Sequence, residues 1–540
     1  MLRFNYLTTL LILFFAATKL QAQQPATPLA KPADSTKSVL TIIHADRTSN
    51  EKVNDSTELT SVVGHVEIQK EKTLFYADSA VLNRKANTLE AFGHIHINDA
   101  DSVHTYSDYL KYIGKERKVY LKKNVRLTDG KGTLTTQDLT YDLSTKIGTY
   151  NNGGKLVSDK SVLTSLEGVY YGETRDVFFK KQVVLVDPQY TIKTDTLQYN
   201  TYEKKATFVS PTTIRGKNER VETTEGYYDT EKKQSYFGKR STIYSDSTTL
   251  TADQIINDEA NGLGEAQGNA ILRDLKNGFT IIANNLKSNK KESAFLATQQ
   301  PVMIMKQEKD SIFLAADTFY SAKITALKDR TIPVVRDKQD SLASNVPDSS
   351  RDRYVEAYYH VRIFSDSMQA VCDSMFYSAF DSTFRLFKQP AIWSRESQIT
   401  GDTMYLFTGN KKPQRLYAFE NGLIISKAGI RDFYNQVKGR TINGYFDSTG
   451  NIDFVRAKGN AENVYYAVDD YNKYVGVNKS SSNSIEMYFI EKQADKVKLI
   501  SDVKGTTFPM NQVNHEELKL RGFKWLSDKR PKSKYDLFGN

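Results

Sequence analysis

The sequence predicts an all-β protein built as an elongated stack of two-strand repeats, each about 30 residues long. Tyr (32) and Phe (27) are abundant beside many threonines, and these residue types favour strands. Short segments alternate apolar and polar side chains, as a strand with one buried face requires. One such segment recurs along the chain at a nearly constant interval, which is typical of a repeat architecture.

The N-terminal residues are predicted to be a secretory signal peptide over 1–22. They combine a basic start at Arg3, an apolar run from Leu7 to Ala17 and a small residue, Ala22, ahead of polar sequence. Residues 23–40 follow as a Pro-rich, polar linker. We therefore expect an exported chain, and no later segment has the apolar length that a membrane helix needs.

The repeat is defined by a polar residue at the centre of a strand-like segment, as in "LFYADSAVL" and "TIKTDTLQY". Successive copies are 28 to 33 residues apart, except for one interval of 56 residues. Units that cannot bury their apolar face alone must stack on their neighbours. The central residues are Asp46, Asp78, Asp108, Gln137, Glu167, Asp195, Glu225, Asp253, Asn284, Asp317, Asp373 and Asp402.

Each central residue is predicted to mark a bend in its strand. A small residue precedes it and apolar residues follow, as Ala77, Ala80 and Leu82 do around Asp78. The small residue and the next apolar one are three positions apart, so the buried face would change sides unless the strand bends there. Cys372 occupies the small slot and needs no chemical role. A second strand follows in each repeat and is often opened by Gly or Pro, as in "GHVEI".

Two histidines, His94 and His96, lie two residues apart in "GHIHI" and would share one face of a strand. Other residue types fill these slots in the other copies, so we expect a solvent-facing strand pair and no metal site. The repeated aspartates are interpreted as structural, because acid–base catalysis needs two carboxyls that converge from different segments. No nucleophile elbow, phosphate-binding loop or zinc signature appears. The sequence therefore predicts no enzyme and no cofactor.

The predicted repeat stack spans 41–321 and resumes, more loosely, over 354–510. Residues 322–353 interrupt it with charged, Pro-containing sequence, which predicts a loop insertion. Residues 511–540 form a basic C-terminal tail that is either docked or solvated, and its charge favours the solvated alternative. The net charge is +10, and in an exported protein this favours anionic lipid or glycolipid head groups over nucleic acid as partners.

Segments of the form Φ-x-Ala-Asp-x-Φ-x-Tyr alternate with Gly-Asn/His-Val-x-Ile strands behind the predicted signal peptide. Over residues 41–430 this pattern resembles the OstA-like, LptA-type proteins of lipopolysaccharide transport. The resemblance implies a twisted β-jellyroll, folded like a taco, with an open apolar groove for lipid A acyl chains. It also implies a periplasmic protein, associated with the outer membrane, that helps to bridge lipopolysaccharide transport across the periplasm. The implied partners are lipopolysaccharide or lipid A, other transport proteins at the inner and outer membranes, and further copies bound head to tail.

The candidate groove residues are the apolar positions that follow the bend. If the taco-like fold is correct, these side chains replace water around acyl chains, and each buried CH₂ contributes about 0.8 kcal/mol. They are Leu110, Tyr112, Leu197, Tyr199, Ile255, Leu286, Phe319, Met375 and Met404.

Two other architectures would bury the same face of each strand. A closed β-solenoid that serves as a structural or adhesin-like scaffold would fill its core with these residues and leave no groove. A carbohydrate-active β-helix enzyme would need convergent carboxylates, which the sequence does not offer. The residues alone therefore leave an open groove and a closed core as alternatives.

Overall fold

The computed structural model describes residues 41–537, apart from 328–352 and short gaps at 55–56, 71–72, 100–102, 159, 277, 307–310, 410–411, 430, 449–450, 470, 472 and 491–492. The predicted signal peptide, the linker and most of the predicted insertion lie outside the described residues. The described residues form antiparallel strands and two short 3-10 helices, so the predicted all-β class is confirmed. Across these residues no helix has the length and apolar character needed to cross a membrane.

The chain divides into two compact units. The N-terminal unit comprises Met1–Asp246 and Asp253–Asn261, and the C-terminal unit comprises Ser247–Ala252 and Gly262–Asn540. The strands of the N-terminal unit are β1 (Thr41–His44), β2 (Arg47–Asn54), β3 (Thr57–Lys70), β4 (Thr73–Asn83), β5 (Thr88–Asp99), β6 (Val103–Ile113), β7 (Lys118–Thr128), β8 (Gly132–Asp142), β9 (Ile147–Tyr150), β10 (Gly154–Ser158), β11 (Ser161–Ser165), β12 (Glu167–Tyr171), β13 (Asp176–Val186), β14 (Tyr190–Asn200), β15 (Lys205–Phe208), β16 (Thr212–Gly216), β17 (Glu219–Thr223), β18 (Gly226–Asp229), β19 (Gln234–Phe237), β20 (Ser241–Ser245) and β22 (Gln254–Asp258).

The C-terminal unit continues the same antiparallel arrangement, and the 3-10 helices are Ile324–Leu327 and Lys534–Leu537. Its strands are β21 (Thr248–Ala252), β23 (Leu263–Asp274), β24 (Phe279–Asn289), β25 (Ala294–Thr298), β26 (Val302–Lys306), β27 (Ser311–Ala315), β28 (Thr318–Lys323), β29 (Arg353–Phe364), β30 (Gln369–Ser378), β31 (Thr383–Phe387), β32 (Ala391–Ser394), β33 (Ser397–Thr400), β34 (Thr403–Gly409), β35 (Lys412–Ala428), β36 (Phe433–Phe446), β37 (Ile452–Val468), β38 (Tyr474–Ile490), β39 (Gln493–Ile500) and β40 (Lys504–Phe508).

The predicted bend is present and takes the form of a bulge, which we call the corner. Strands β13 and β14 pair on both sides of Asp195, but Lys181 and Gln182 together face Asp195 alone. Lys181 and Gln182 have φ angles of 60° and 55°, in the left-handed region. Two residues of one strand lie opposite a single residue of the other, and this bends the strand while the ladder continues on either side.

The prediction that a second strand opens at glycine or proline holds in some copies, since β10 begins at Gly154 and β26 begins directly after Pro301, but it is wrong for β3. Strand β3 runs through Gly64 from Thr57 to Lys70, and Gly64 and His65 are the left-handed pair of its corner. The glycine is favoured because φ is 80° there, not because a strand begins. Each repeat therefore contributes two bent strands, which are continuous through the corner in copies such as β3 and interrupted there in others, such as β9 and β10. In the degenerate copy around Glu167, the corner slot belongs to its neighbour Leu166, whose backbone N–H donates to the Lys181 carbonyl.

The corner divides each bent strand into two segments and so divides each unit into two half-sheets. The first half-sheet consists of the segments that precede the corner aspartates, such as Tyr190–Thr194 of β14, together with the segments paired with them. The segments that follow, such as Thr196–Asn200, and their partners form the second half-sheet. The phenol of Tyr150 crosses between the half-sheets to within 2.6 Å of the Ser165 hydroxyl. The space between the half-sheets is the interior.

The corner aspartates act structurally, but mainly through side chains of the next strand. The Asp78 carboxylate lies 2.8 Å from His94 Nδ1, and Asp402 accepts a hydrogen bond from Asn421 at 2.9 Å. These pairs are solvent-exposed and each holds a residue of the left-handed pair. They fix the corner without any convergence of carboxylates.

His94 and His96 are not the equivalent, solvent-facing pair that the sequence suggested. His94 belongs to a corner with φ of 40°, whereas His96 is half-buried and stacks on Tyr106 at 4.5 Å between ring centroids. His96 Nε2 also lies 3.0 Å from His104 Nδ1. Burial, followed by the charges of His104 and Arg126, lowers the pKa of His96.

The basic C-terminal tail is docked, so the favoured prediction of a solvated extension is wrong. We call residues 509–537 the strap. Leu518 and Leu520 pack with Leu423, Ile425 and Val464, and Leu537 packs farther along with Val302 and Ala315. All of these partners belong to the first half-sheet of the C-terminal unit. Because side chains alternate along each strand, these partners lie on the face that points away from the interior.

Three buried glutamines on that outer face hold the strap backbone and a strap arginine. Gln436 and Gln398 accept from the backbone N–H groups of Leu520 and Leu526, both at 2.8 Å. Gln369 accepts from the Arg530 guanidinium, also at 2.8 Å. The charge of the tail alone could not predict this docking, because the apolar face beneath the strap is assembled from strands that are distant in sequence.

Candidate functional site

The interior is lined nearest the corner by a continuous cross-strand row of apolar residues, which we call the deep row. Directly paired residues on adjacent strands have Cβ atoms about 4.5–5.5 Å apart, so such a row forms an unbroken surface. In the N-terminal unit the deep row runs through Leu110, Leu121 and Leu139, and then through Tyr150, Gly168, Phe179, Leu197, Phe208, Gly226, Phe237 and Ile255.

The deep row of the C-terminal unit alternates bulky side chains with alanine over much of its length. A bulky side chain with an alanine on the neighbouring strand projects farther into the interior than the alanine does. The row therefore has regularly spaced ridges. Its members are fully or almost fully buried. They are Leu286, Ala297, Phe319, Ala357, Met375, Leu386, Met404 and Ala418.

A second row in the N-terminal unit consists of tyrosines and lies farther from the corner. These tyrosines recur every 29 residues, once per repeat. Small or β-branched residues on the intervening strands separate them, for example Gly148 between Tyr141 and Tyr170. Burial raises the pKa of Tyr141 to about 12. We call this set the tyrosine row: Tyr112, Tyr141, Tyr170, Tyr199 and Tyr228.

Tyr190 of the first half-sheet meets the tyrosine row across the interior. Burial, then the Asp187 carboxylate and the phenols of Tyr228 and Tyr199, raise the pKa of Tyr190. Tyr190, Tyr199 and Tyr228 are each at most 3% exposed. These buried phenols of the two half-sheets therefore lie near one another at this level, which we call the mouth of the interior.

Side chains fill the interior between the deep row and the mouth where β8 to β13 meet. A cavity of about 20 Å³ remains there, enclosed by Leu134 and Leu156 of the first half-sheet and by Tyr170 and Phe179 of the second, among others. That volume has room for about one water molecule. Any larger occupant would have to separate the half-sheets.

The structure places all nine predicted groove residues in these rows. Seven lie in the two deep rows, and Tyr112 and Tyr199 lie in the tyrosine row. All are buried except Tyr112, which is half-buried. Protein atoms alone cover them, so contact with lipid stays a prediction.

Sequence reasoning missed several members of the same rows, notably Tyr141, Tyr170 and Tyr228. The 29-residue spacing of these tyrosines was the signal that would have found them. Phe179 and Phe208 were missed because they belong to the intervening strands, whose corner has no aspartate to mark it.

Gly168 offers a test of how tightly the deep row is packed. A Cβ at this position would overlap the ring of Tyr150. Gly168→Ala should therefore lower the free energy of unfolding by about 1–3 kcal/mol, because the ring must move out of its site. Gly444→Ala is the matched control, since its Cβ would meet neighbours only at 3.9 Å. Chemical denaturation of both variants checks this, and equal effects would contradict the packing described.

Two larger grooves lie at corners and are lined mainly by polar side chains. One of about 730 Å³ includes Asn124, Arg126 and Gln182, and one of about 520 Å³ includes Lys438 and Asn460. Their linings do not suit acyl chains. Within the described part of the chain, no group of three or more His, Cys, Asp or Glu side chains is placed to hold a metal ion.

Comparison with known proteins finds a family match for the N-terminal part of the chain. Residues 37–195 and 191–253 match the family model of the OstA-like proteins, which confirms the resemblance for that region. A crystal structure of LptH, described as the LptA homologous periplasmic component of the conserved lipopolysaccharide transport device from Pseudomonas aeruginosa, matches at 15% identity. This match covers 19% of the present chain and 79% of that chain, with a TM-score of 0.18. No curated protein matches the chain.

Proposed function

Because residues 37–253 match the family model of the OstA-like proteins, we propose that the protein is a non-enzymatic, lipid-binding component of lipopolysaccharide transport. It holds acyl chains of lipopolysaccharide in the interior and helps to carry them across the periplasm to the outer membrane. The observation that carries the proposal is the deep row, an apolar surface that continues from strand to strand between two half-sheets.

The chemistry of the two rows suits the two parts of a lipid. Leu, Phe, Ile and Met of the deep rows replace water around methylene groups, at about 0.8 kcal/mol per CH₂ buried. The tyrosine row combines an apolar ring with a polar hydroxyl, as aromatic residues do at membrane interfaces. Acyl chains therefore lie along the deep row, and the ester and hydroxyl groups that join them to the sugar lie level with the tyrosines.

Entry of a chain requires the mouth to open. The ladder within each half-sheet is continuous, whereas Tyr190 and the tyrosine row lie on different half-sheets and approach each other through their buried phenols. Side-chain contacts separate at lower cost than backbone ladders, so the half-sheets part at the mouth and pivot at the corners. Successive repeats offer nearly equivalent positions, so movement along the row changes the free energy little. Direction must come from an energised partner.

The end strands support a bridging arrangement with other transport components or with further copies, joined head to tail. Among the described residues, β1 and β2 pair only with β3, and β39 and β40 pair only with β38. Both sets are largely exposed. Such open edges accept further strands, which would extend the deep row into the next molecule.

Fluorescence quenching by dibrominated fatty acids tests the proposed function. A tryptophan at position 199 lies in the interior, whereas one at position 202 replaces a side chain that is 73% exposed. Tyr199→Trp should be quenched strongly, and lipid A should reverse the quenching by competition. Tyr202→Trp should match the wild-type protein, whose two tryptophans both lie outside the interior, Trp393 beneath the strap and Trp525 on it. Equal quenching at both positions, or none in the folded protein, would reject acyl binding in the interior.

A closed β-solenoid scaffold is the second candidate. The specific observation in its favour is that the deep-row side chains are covered by protein atoms alone. It differs from the first proposal in one measurable respect, because a permanently closed interior leaves Tyr199→Trp unquenched by any lipid.

A further inference from the structure

The strap has two faces with different chemistry. Its apolar side chains Leu518, Leu520 and Leu537 are at most 4% exposed and point into the C-terminal unit. Phe523 and Trp525 contact Tyr434 at ring distances of 5.4 and 5.1 Å. These contacts fix which side of the strap faces the protein.

The side of the strap that faces away from the protein is basic. Between 519 and 534 the sequence has seven Lys or Arg and one acidic residue, Asp528. Six of the seven are exposed, whereas Arg530 is partly buried and turns inward to Gln369. Lys519 is one of the six, and it pairs with Glu516. The other five exposed cations make up the basic face, and they are Arg521, Lys524, Lys529, Lys532 and Lys534.

The backbone beneath these cations is held in place. The carbonyl of Arg521 accepts from Lys438 Nζ at 2.9 Å, and the carbonyl of Lys524 accepts from Gln398 at 2.8 Å. The Leu526 N–H donates to the same glutamine. The cations therefore project from a docked segment, and binding through them does not require a disordered chain to fold.

We propose that this basic face of the strap binds the surface of an anionic phospholipid membrane. Four of its five exposed cations are lysines, which are compact point charges suited to a diffuse layer of lipid phosphates, whereas planar arginines suit paired contacts to bases. Tyr535 is 72% exposed beside them, and tyrosine is favoured at membrane interfaces. This inference does not depend on acyl binding in the interior.

Sedimentation with phosphatidylcholine vesicles, with and without phosphatidylglycerol, tests the proposal on the full chain. The wild-type protein should bind only the anionic vesicles, and added salt should weaken the binding. Each lysine near an anionic surface contributes about a fivefold increase in partitioning. Lys524→Glu/Lys529→Glu/Lys532→Glu should therefore lower partitioning about 100-fold. The matched control, Lys115→Glu/Lys155→Glu/Lys193→Glu, changes three exposed lysines of the N-terminal unit and should retain binding.

Several outcomes would overturn the proposal. Equal losses in the two triple variants would mean that net charge alone drives binding, and no binding of wild-type protein to anionic vesicles would reject it directly. Tighter, strap-dependent binding to a DNA duplex would assign the face to nucleic acid. Protease resistance of the strap checks that it stays docked in the variants. If the glutamate substitutions release the strap, a triple variant with Lys→Gln at the same three positions is used instead.

Discussion

Truncation after Phe508 should leave the C-terminal unit with a large exposed apolar face and a marked tendency to self-associate. Without the strap, Trp393, Ile425 and Val464 lose their cover, although all three are fully buried in the complete chain. Each buried leucine of the strap contributes about 1.5–3 kcal/mol relative to exposure. We expect strong binding of a hydrophobic dye, concentration-dependent association and faster amide exchange in β32, β33 and β36.

A point variant separates docking of the strap from its mere presence. Gln398→Leu leaves the Leu526 N–H, the Lys524 carbonyl and the Trp393 indole N–H without their partner. Each buried group left unsatisfied costs about 1–3 kcal/mol, so this variant should reproduce much of the truncation phenotype. Gln512→Leu, at an exposed strap position, is the control and should behave as wild type. A truncated chain that stays monomeric, binds no dye and exchanges normally would show that the strap is dispensable.

Much of the fold followed from local pattern. The three-residue step around Asp78 predicted a bend, and the bulge opposite it is the physical solution that keeps one face buried. The same argument selected Leu197 and Met404 as inward positions, and both lie in the deep rows. These features could be predicted from the sequence because strand alternation depends only on neighbouring residues.

Other features could not be derived in this way. The interpretation of Gly64 as a strand start failed because a left-handed residue inside a strand and a turn before one favour the same amino acid. The strap was misjudged because its partners, such as Gln398 and Val302, lie more than one hundred residues away in sequence. The proximity of Tyr190 to Tyr228 likewise depends on how two half-sheets close, which no single strand encodes.

The second large effect is expected from locking the mouth. Gln189 precedes Tyr190 on the first half-sheet and Glu231 follows Tyr228 on the second, and both are exposed. A cleavable bis-maleimide that joins Gln189→Cys to Glu231→Cys should hold the half-sheets together. The native Cys372 should not react, because burial raises its pKa to about 12 and maleimides attack the thiolate.

Affinity for dibrominated fatty acid, measured before cross-linking, after it and after cleavage, tests the central claim most directly. If acyl chains enter through the mouth, the locked protein should lose at least about tenfold in affinity, since the binding-competent fraction falls, and cleavage should restore it. Tyr202→Cys joined to Glu231→Cys links two turns of the same half-sheet and should leave affinity unchanged. Unaltered affinity in the locked protein would contradict the account, because acyl chains would then bind without any opening of the mouth.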